Sequence, residues 1–322
     1  MKLILSLAFS LLLISPALAV PYTFTPLPDG FTATALNSVG QIAGLVPLSP
    51  CGPGCPGGLL PALYDRGTIT LLDLPTEGSF ETIVNGINDA GDLVAEQHFS
   101  HGTGIFAVFD GVITGIAHPG NTPFNTVTGL NNLREIVGGA DVFTPDDFSN
   151  IFHGYVSSGT TFTLLDVPGA GGTGANGIND AGQVVGSFAL NPEPFVGPLD
   201  QGFLFDAGTF TTLNKPGAAA TSPVAINNAG LIAGTYTDAT GGPHGFTEAA
   251  GVFTEITGLD GAAFLPVDLN NLGQLIGTFG GTGPSYLATP TEAVPEPATV
   301  VLLSAGVVAL GVLRRRRATR SR

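Results

Sequence analysis

The chain has 322 residues, with 25 acidic against 10 basic side chains, 43% hydrophobic residues, 47 Gly and 25 Pro. That length can bury a sizeable core, and the apolar content excludes a disordered chain in spite of the Gly and Pro, which fit short strands joined by tight turns. Outside the two ends only Arg66, Arg134 and Lys215 are basic, against 24 acids between Val20 and Ala293, a formal charge of about −21 that excludes nucleic acid and anionic lipid as partners of the body.

Residues 1–19 read as an export signal. Lys2 supplies a positive start, Leu3 to Ile14 an apolar run, and Ala17-Leu18-Ala19 a small-x-small cleavage site, so the cut falls between Ala19 and Val20.

One pattern then recurs six times: an apolar residue, Asn, two residues, Gly, one residue, two apolar residues and usually Gly. The Asn residues are Asn37, Asn88, Asn131, Asn179, Asn227 and Asn270, at spacings of 51, 43, 48, 48 and 43. The Gly positions are Gly40, Gly91, Gly182, Gly230 and Gly273, with Arg134 in the third copy. An Asn side chain can bond its own backbone, and Gly three residues on accepts a left-handed conformation, so each copy reads as a hairpin turn with a bulge. A left-handed residue other than Gly, as Arg134 would be, costs on the order of 1 kcal/mol.

Between these turns lies a second hairpin, clearest in Gly202 to Leu213, with its turn glycine at 67, 111, 159, 208 and 251 and Ile or Phe two or three residues later. Aromatic and β-branched residues interleaved with Thr favour strands. Two hairpins make four strands per unit of about 47 residues, the size of a propeller blade. A β-helix would use shorter repeats with single strands per face. Five full copies of the second hairpin lie inside the chain; Phe24-Thr25-Pro26-Leu27 and Ser285-Tyr286-Leu287 supply the halves of a sixth. The expected fold is therefore all-β, with residues 20–290 forming a six-bladed propeller of four-stranded blades closed by the N- and C-terminal strands. The His153-Gly154-Tyr155 and His244-Gly245-Phe246 segments, together with the Ile-Asn-x-x-Gly turns, resemble the HAF-type extracellular repeat, with Gln201 in place of His in the fourth unit. That resemblance implies a secreted or surface protein and brings no settled catalytic activity.

Chemistry-bearing clusters are few. Cys51 and Cys55 sit in a Gly/Pro loop, and in an oxidising compartment they are expected to form a local disulfide; three intervening residues off a helix do not suit a redox motif. His153 and His244 occupy one phase of different blades and so stand apart, and the i, i+3 pair His98 and His101 lies on strand and loop rather than helix. Asp89 and Asp180 sit in the Asn turns, where Ser38, Asn132, Asn228 and Asn271 replace them, and read as turn chemistry first and calcium ligation second. Asp146, Asp147, Glu193 and Asp200 lie in long loops. No nucleophile elbow, phosphate-binding glycine loop or zinc spacing is present. No cofactor is expected, unless a divalent cation such as calcium collects on the polyanionic surface.

Residues 291–297 are a linker containing Val294-Pro295-Glu296-Pro297; the apolar run 298–313 follows, then a basic tail, 314–322, opening with four arginines. As a helix the run would span about 24 Å, short of the roughly 30 Å hydrocarbon core, so it would make a thin single transmembrane anchor with its arginines in the cytoplasm. VPEP motif, apolar helix and arginine cluster in this order resemble the PEP-CTERM sorting signal of Gram-negative bacteria. The resemblance implies retention in the inner membrane, body outside the cytoplasm, until an exosortase cuts near the motif and releases the body towards the surface. An ordinary C-terminal anchor is the plainer alternative. The sequence thus points to a non-enzymatic cell-surface or extracellular-matrix protein that binds exopolysaccharide or a surface protein, the alternative being a propeller hydrolase or lyase acting on extracellular polysaccharide. The long loops, where the copies differ, are the expected place for either.

Overall fold

Each Asn turn joins two runs of β-branched and small residues, and the physical result is an antiparallel hairpin. The structure is a computed structural model that describes residues 22–47, 58–76, 78–116, 125–141, 152–159, 161–190, 200–258, 260–281 and 283–291. Outside the described residues lie the export signal with Ala19 and Val20, Cys51 and Cys55, His118, Asp146, Asp147, Glu193, the sorting motif Val294 to Pro297, the apolar run 298–313 and the basic tail 314–322.

Twenty-four strands among the described residues form six antiparallel four-stranded sheets, the six blades. From the inside outwards, blade 1 is Thr32–Leu36, Gln41–Pro47, Leu59–Asp65 and Thr68–Leu71, and blade 2 is Glu81–Ile87, Leu93–Phe99, Gly102–Phe109 and Val112–Gly115. Blade 3 is Asn125–Leu130, Glu135–Asp141, Phe152–Ser158 and Thr161–Leu165; blade 4 is Gly172–Ile178, Val184–Ala189, Gln201–Asp206 and Thr209–Thr212. Blade 5 is Ala220–Ile226, Ile232–Thr237, Pro243–Ala249 and Val252–Ile256. Blade 6 takes Phe264–Leu269, Leu275–Phe279 and Ser285–Pro290 from the C-terminal end and its outer strand, Tyr22–Pro26, from the N-terminal end, with Phe24 opposite Ala288. Phe24 fixes this closure by packing its ring 5.0 Å from both Phe264 and Phe279.

The core lies between blades rather than in one centre. Phe264, Leu269 and Leu275 of blade 6 pack with Leu231, Ala233 and Ile256 of blade 5, and Ile276 packs with Phe31, Leu36 and Ile42 of blade 1. The His-Gly-aromatic segments belong to this packing. Tyr155, Phe203 and Phe246 are fully buried, and a Cβ on Gly154 or Gly202 would press on the innermost strand of the following blade, 3.2 Å from the Ala175 nitrogen and 2.9 Å from the Pro223 ring. The glycine that closes most Asn copies has the same kind of cause. A side chain at Gly186 would run into the Gly174 carbonyl and sit 2.7 Å from the Phe203 ring.

Antiparallel order also sorts the connections. The Asn turns and the outer hairpin turns lie on one face, the turn face; all links from second to third strand and from blade to blade lie on the other, the loop face. Arg66-Gly67, Asp110-Gly111, Ala207-Gly208 and Ala250-Gly251 all have positive φ, the type I′ geometry that matches strand twist in a two-residue hairpin. Every innermost strand carries a further bulge three residues before its Asn, at Thr34, Asn85, Thr128, Asn176, Val224 and Val267. Neighbouring strands of that kind are what the axis is built from.

Gly186→Ala is expected to destabilise the fold by about 1–3 kcal/mol, the usual range for overpacking a tight contact, as read from the midpoint of denaturant unfolding.

Candidate functional site

The six Asn turns meet around the propeller axis. In each, the Asn amide nitrogen donates to the backbone carbonyl of the Asn in the next blade: Asn37 to Asn88 at 2.9 Å, Asn88 to Asn131 at 3.4 Å, Asn131 to Asn179 at 3.0 Å, Asn179 to Asn227 at 3.0 Å, Asn227 to Asn270 at 3.1 Å, and Asn270 back to Asn37 at 3.0 Å. The ring closes without a gap. Each Asn Oδ1 accepts the N–H four residues on, in its own turn, so the amide cannot flip without breaking that bond. In five blades the same nitrogen also reaches an acceptor side chain at the fourth following position: Gln41, Asp92, Glu135, Gln183 or Gln274. All six Asn side chains are buried.

One residue further on, a second ring surrounds the mouth. The backbone N–H of each residue donates to the side-chain oxygen of its counterpart in the next blade, in the circuit Ser38, Asp89, Asn132, Asp180, Asn228, Asn271 and back to Ser38, with distances from 2.7 to 3.2 Å. This corrects the turn-chemistry reading of Asp89 and Asp180: their Oδ1 atoms join blades and do not cap their own turns. The signal in the sequence was that all six residues at this position are short and carry a side-chain oxygen.

Below the Asn ring the bulge residues form a third, incomplete tier. Thr34, Asn85, Thr128 and Asn176 each donate to a carbonyl of the next blade, those of Val84, Val127, Ala175 and Pro223, at 2.6, 2.9, 2.7 and 2.7 Å. Val224 and Val267 have no polar group to continue it. Here Asp268 enters, at a position filled by Ala35, Gly86, Gly129, Gly177 and Ala225 in the other blades. Its Oδ2 accepts the Leu36 N–H across the closing junction at 2.8 Å, and its Oδ1 accepts its neighbour's Leu269 N–H at 2.7 Å. Removal from water pushes the Asp268 carboxyl up to about 7, against the pull of those two N–H groups.

These tiers enclose an axial cavity of about 330 Å³, lined from the bulge residues to the mouth ring and containing Asp89, Asp180 and Asp268 but no Lys, Arg or His. Around it, the third copy stands apart. Arg134 has φ 64° where the others have Gly; its Nε and Nη2 donate to buried Asp92 at 2.8 and 3.1 Å, Nη2 also meets Asp110 at 2.8 Å, and its guanidinium lies over Phe109. Burial alone would raise the Asp92 pKa, but the bonds from Arg134, Asn88 and the Asp110 amide outweigh it and hold Asp92 below its ordinary value.

The four described histidines lie towards the loop face and do not converge. His153 pairs with Asp166 at 2.8 Å, and His244 is held between Glu255 and Asp238 at 2.8 and 3.1 Å while stacking on Tyr236; these carboxylates raise both histidines. His98 meets buried Glu96 at 3.0 Å, whereas His101 contacts Ser100, so the two do not share a ligand position. Among the described residues no group of three or more His, Cys, Asp or Glu could hold a metal ion, and no helix is long and apolar enough to cross a membrane. Of the three long loops, residues 48–57, 142–150 and 191–199 lie outside the described residues; the strand ends that flank them are on the loop face.

At the C-terminus one finding decides the address. Residues 293–317 match the PEP-CTERM protein-sorting motif. That motif implies export, anchoring through the C-terminal region and processing by an exosortase. A search among curated proteins returned no match. Among solved structures, the chain is similar to the β-propeller domain of the trilobed protease from Pyrococcus furiosus, at 8% identity, 83% of this chain, 96% of that one and a TM-score of 0.49. Virginiamycin B lyase from Staphylococcus aureus is similar at 13% identity, covering 84% and 99% of the two chains with a TM-score of 0.47. The Aleuria aurantia lectin gives 12% identity, 84% and 100% coverage and a TM-score of 0.43.

Two outcomes follow from the axial chemistry. The folded-state pKa of Asp268 lies above its unfolded value of about 3.9, so between roughly pH 4 and 7 the unfolded chain loses this proton first and stability falls as pH rises. Melting temperatures of wild type should therefore fall as pH rises from about 4 to 7, a slope that Asp268→Ala, which places here the residue found in blades 1 and 5, removes. Asn179→Ala leaves the Asn227 carbonyl and two turn N–H groups without their partner and should destabilise by about 1–3 kcal/mol in denaturant unfolding.

Proposed function

We propose that this is an exosortase-processed surface protein whose propeller binds an extracellular partner, an exopolysaccharide or another surface protein, without turning it over. The observation that carries the address is the sorting motif at residues 293–317. In this reading residues 1–19 direct export and are cut between Ala19 and Val20. The run 298–313 holds the chain in the inner membrane, body outside the cytoplasm, until an exosortase acts near Val294 to Pro297. Cys51 and Cys55 close a local disulfide on the exported side, and the body is a HAF-type repeat array. A binding role is supported by how the repeated polar residues are used: the buried Asn side chains and the backbone groups of the turns are consumed in holding blades together, which leaves the loop face and the axial mouth to meet other molecules.

A second reading, a hydrolase or lyase acting on extracellular polysaccharide, is favoured by one observation: three carboxylates, Asp89, Asp180 and Asp268, line a single cavity. Glycoside hydrolysis needs two carboxyl groups facing one bond. Release of reducing ends or unsaturated products from exopolysaccharide by the purified protein would establish it, and retention of intact polymer with no such release supports binding.

Replacing Pro295, Glu296 and Pro297 with alanine should keep the protein in the membrane fraction while wild type is released; equal release of the two would rule out exosortase processing.

A further inference from the structure

The mouth ring is uneven. On one side Asn132, Asp180 and Asn228 satisfy one another: the Asn132 amide nitrogen donates to Asp89 Oδ2 at 3.2 Å and to Asp180 Oδ2 at 3.0 Å, and the Asn228 nitrogen donates to Asp180 Oδ2 at 2.6 Å. On the other side stand Asn271, Ser38 and Asp89, from blades 6, 1 and 2. Asn271 Oδ1 and Ser38 Oγ each accept one backbone N–H. That fixes the Asn271 amide nitrogen as a donor facing away from the bond, and neither it nor the Ser38 hydroxyl has an acceptor among the described residues. Asp89 Oδ2 takes a single bond, the 3.2 Å one from Asn132. Two unused donors and a carboxylate oxygen with spare lone pairs are thus set side by side, while the opposite half is closed.

Apolar side chains adjoin that half, as Leu133, 64% exposed, adjoins the other. Val39 and Leu272, the next residues along the two turns, are 52% and 57% exposed, and Val267, which interrupts the polar bulge tier beneath, is 43% exposed on the cavity wall. Exposed branched side chains beside directional polar groups are a combination that water satisfies poorly and that an amphipathic ligand satisfies well. The cavity, about 330 Å³, is at the small end of ligand pockets, which run from roughly 300 to 1,000 Å³.

We infer that this sector of the axial mouth binds the terminal neutral hexopyranose of an extracellular glycan, a proposal that rests on the surface-binding reading above. Asp89 accepts a pair of sugar hydroxyls as charge-assisted bonds, Asn271 and Ser38 donate to sugar oxygens, and the C–H face of the ring lies against Val267 and Leu272. The carboxylate of Asp89, with no base in the lining, selects against uronic acids. A sugar end, not a threaded chain, suits the volume.

The ring supplies its own controls. Asn already occupies this position in three blades as Asn132, Asn228 and Asn271, so Asp89→Asn and Asp180→Asn each keep the oxygen that accepts the ring N–H, and melting temperatures check that both variants fold. The full-length protein in detergent is titrated with methyl glucoside, galactoside and mannoside, with glucuronate and with glucosamine, and binding is followed by saturation-transfer NMR. Saturable binding of a neutral methyl hexopyranoside is expected, weakened at least tenfold by Asp89→Asn, changed less than twofold by Asp180→Asn, and absent for glucuronate. No binding of any neutral hexopyranoside at tens of millimolar, equal effects of the two substitutions, or binding of glucosamine alone would each overturn the proposal. Exopolysaccharide retained undiminished by Asp89→Asn would sink this site and leave surface binding standing. Hexopyranoside binding without polymer retention would do the reverse.

Discussion

Six buried asparagine amides, each bonded to the next blade's backbone, are the constraint on which the rest of this propeller depends. A single amide–carbonyl bond contributes only about 0.5–1.5 kcal/mol net, but a buried carbonyl left without its donor costs more than that, so each bond is enforced by the penalty for losing it. Because the circuit returns from Asn270 to Asn37, the blade number is part of the same constraint. A ring with one blade more or fewer would need different angles at every junction.

The Asn spacings run from 43 to 51 residues, yet every ring bond forms, at 2.9 to 3.4 Å. Antiparallel strand order resolves this. Turns on the axial face must be short and alike to meet, while extra residues enter between second and third strands or between blades, on the opposite face. The longest spacing, from Asn37 to Asn88, includes the connection between Pro47 and Leu59. Length variation therefore never reaches the ring. Closure of blade 6 by Tyr22–Pro26 works similarly: the outer strand is borrowed from the other end of the chain, but the innermost strand that carries Asn270 belongs to the same chain segment as its neighbours.

Departures from the repeat are most informative where their neighbours compensate for them. Arg134 gives up the glycine that a left-handed turn favours and gains Asp92, Asp110 and the Phe109 ring, so the strained backbone sits inside a network that only this blade possesses. Asp268 replaces Ala or Gly and places a carboxylate where the polar bulge tier fails, at the junction that joins the last blade to the first. Both are ionisable groups admitted to an otherwise apolar or neutral position, and both are tied to another blade: Arg134 donates to carboxylates of blade 2, and Asp268 accepts a backbone N–H of blade 1. Variation at the mouth is of a different kind: Ser38, Asp89, Asn132, Asp180, Asn228 and Asn271 all keep the one oxygen the ring needs, and differ in what is left over.

Much of this architecture was legible in the chain. Six Asn copies, the glycine-marked hairpins between them and the matching half-hairpins around Phe24 and Tyr286 specify the blades and the way they close, because turn chemistry and strand alternation act over a few residues. The address, too, lies in a short linear motif near the C-terminus. The tertiary structure alone decided what the repeated side chains are for. That Asn179 bonds Asn227, or that Asp89 and Asp180 span blades, depends on groups 43 to 51 residues apart being brought onto one axis, and local pattern carries no information about that distance. The unevenness of the mouth is likewise invisible in sequence, since Ser, Asn and Asp accept one backbone N–H equally well and only their partners in space reveal which polar atoms remain free.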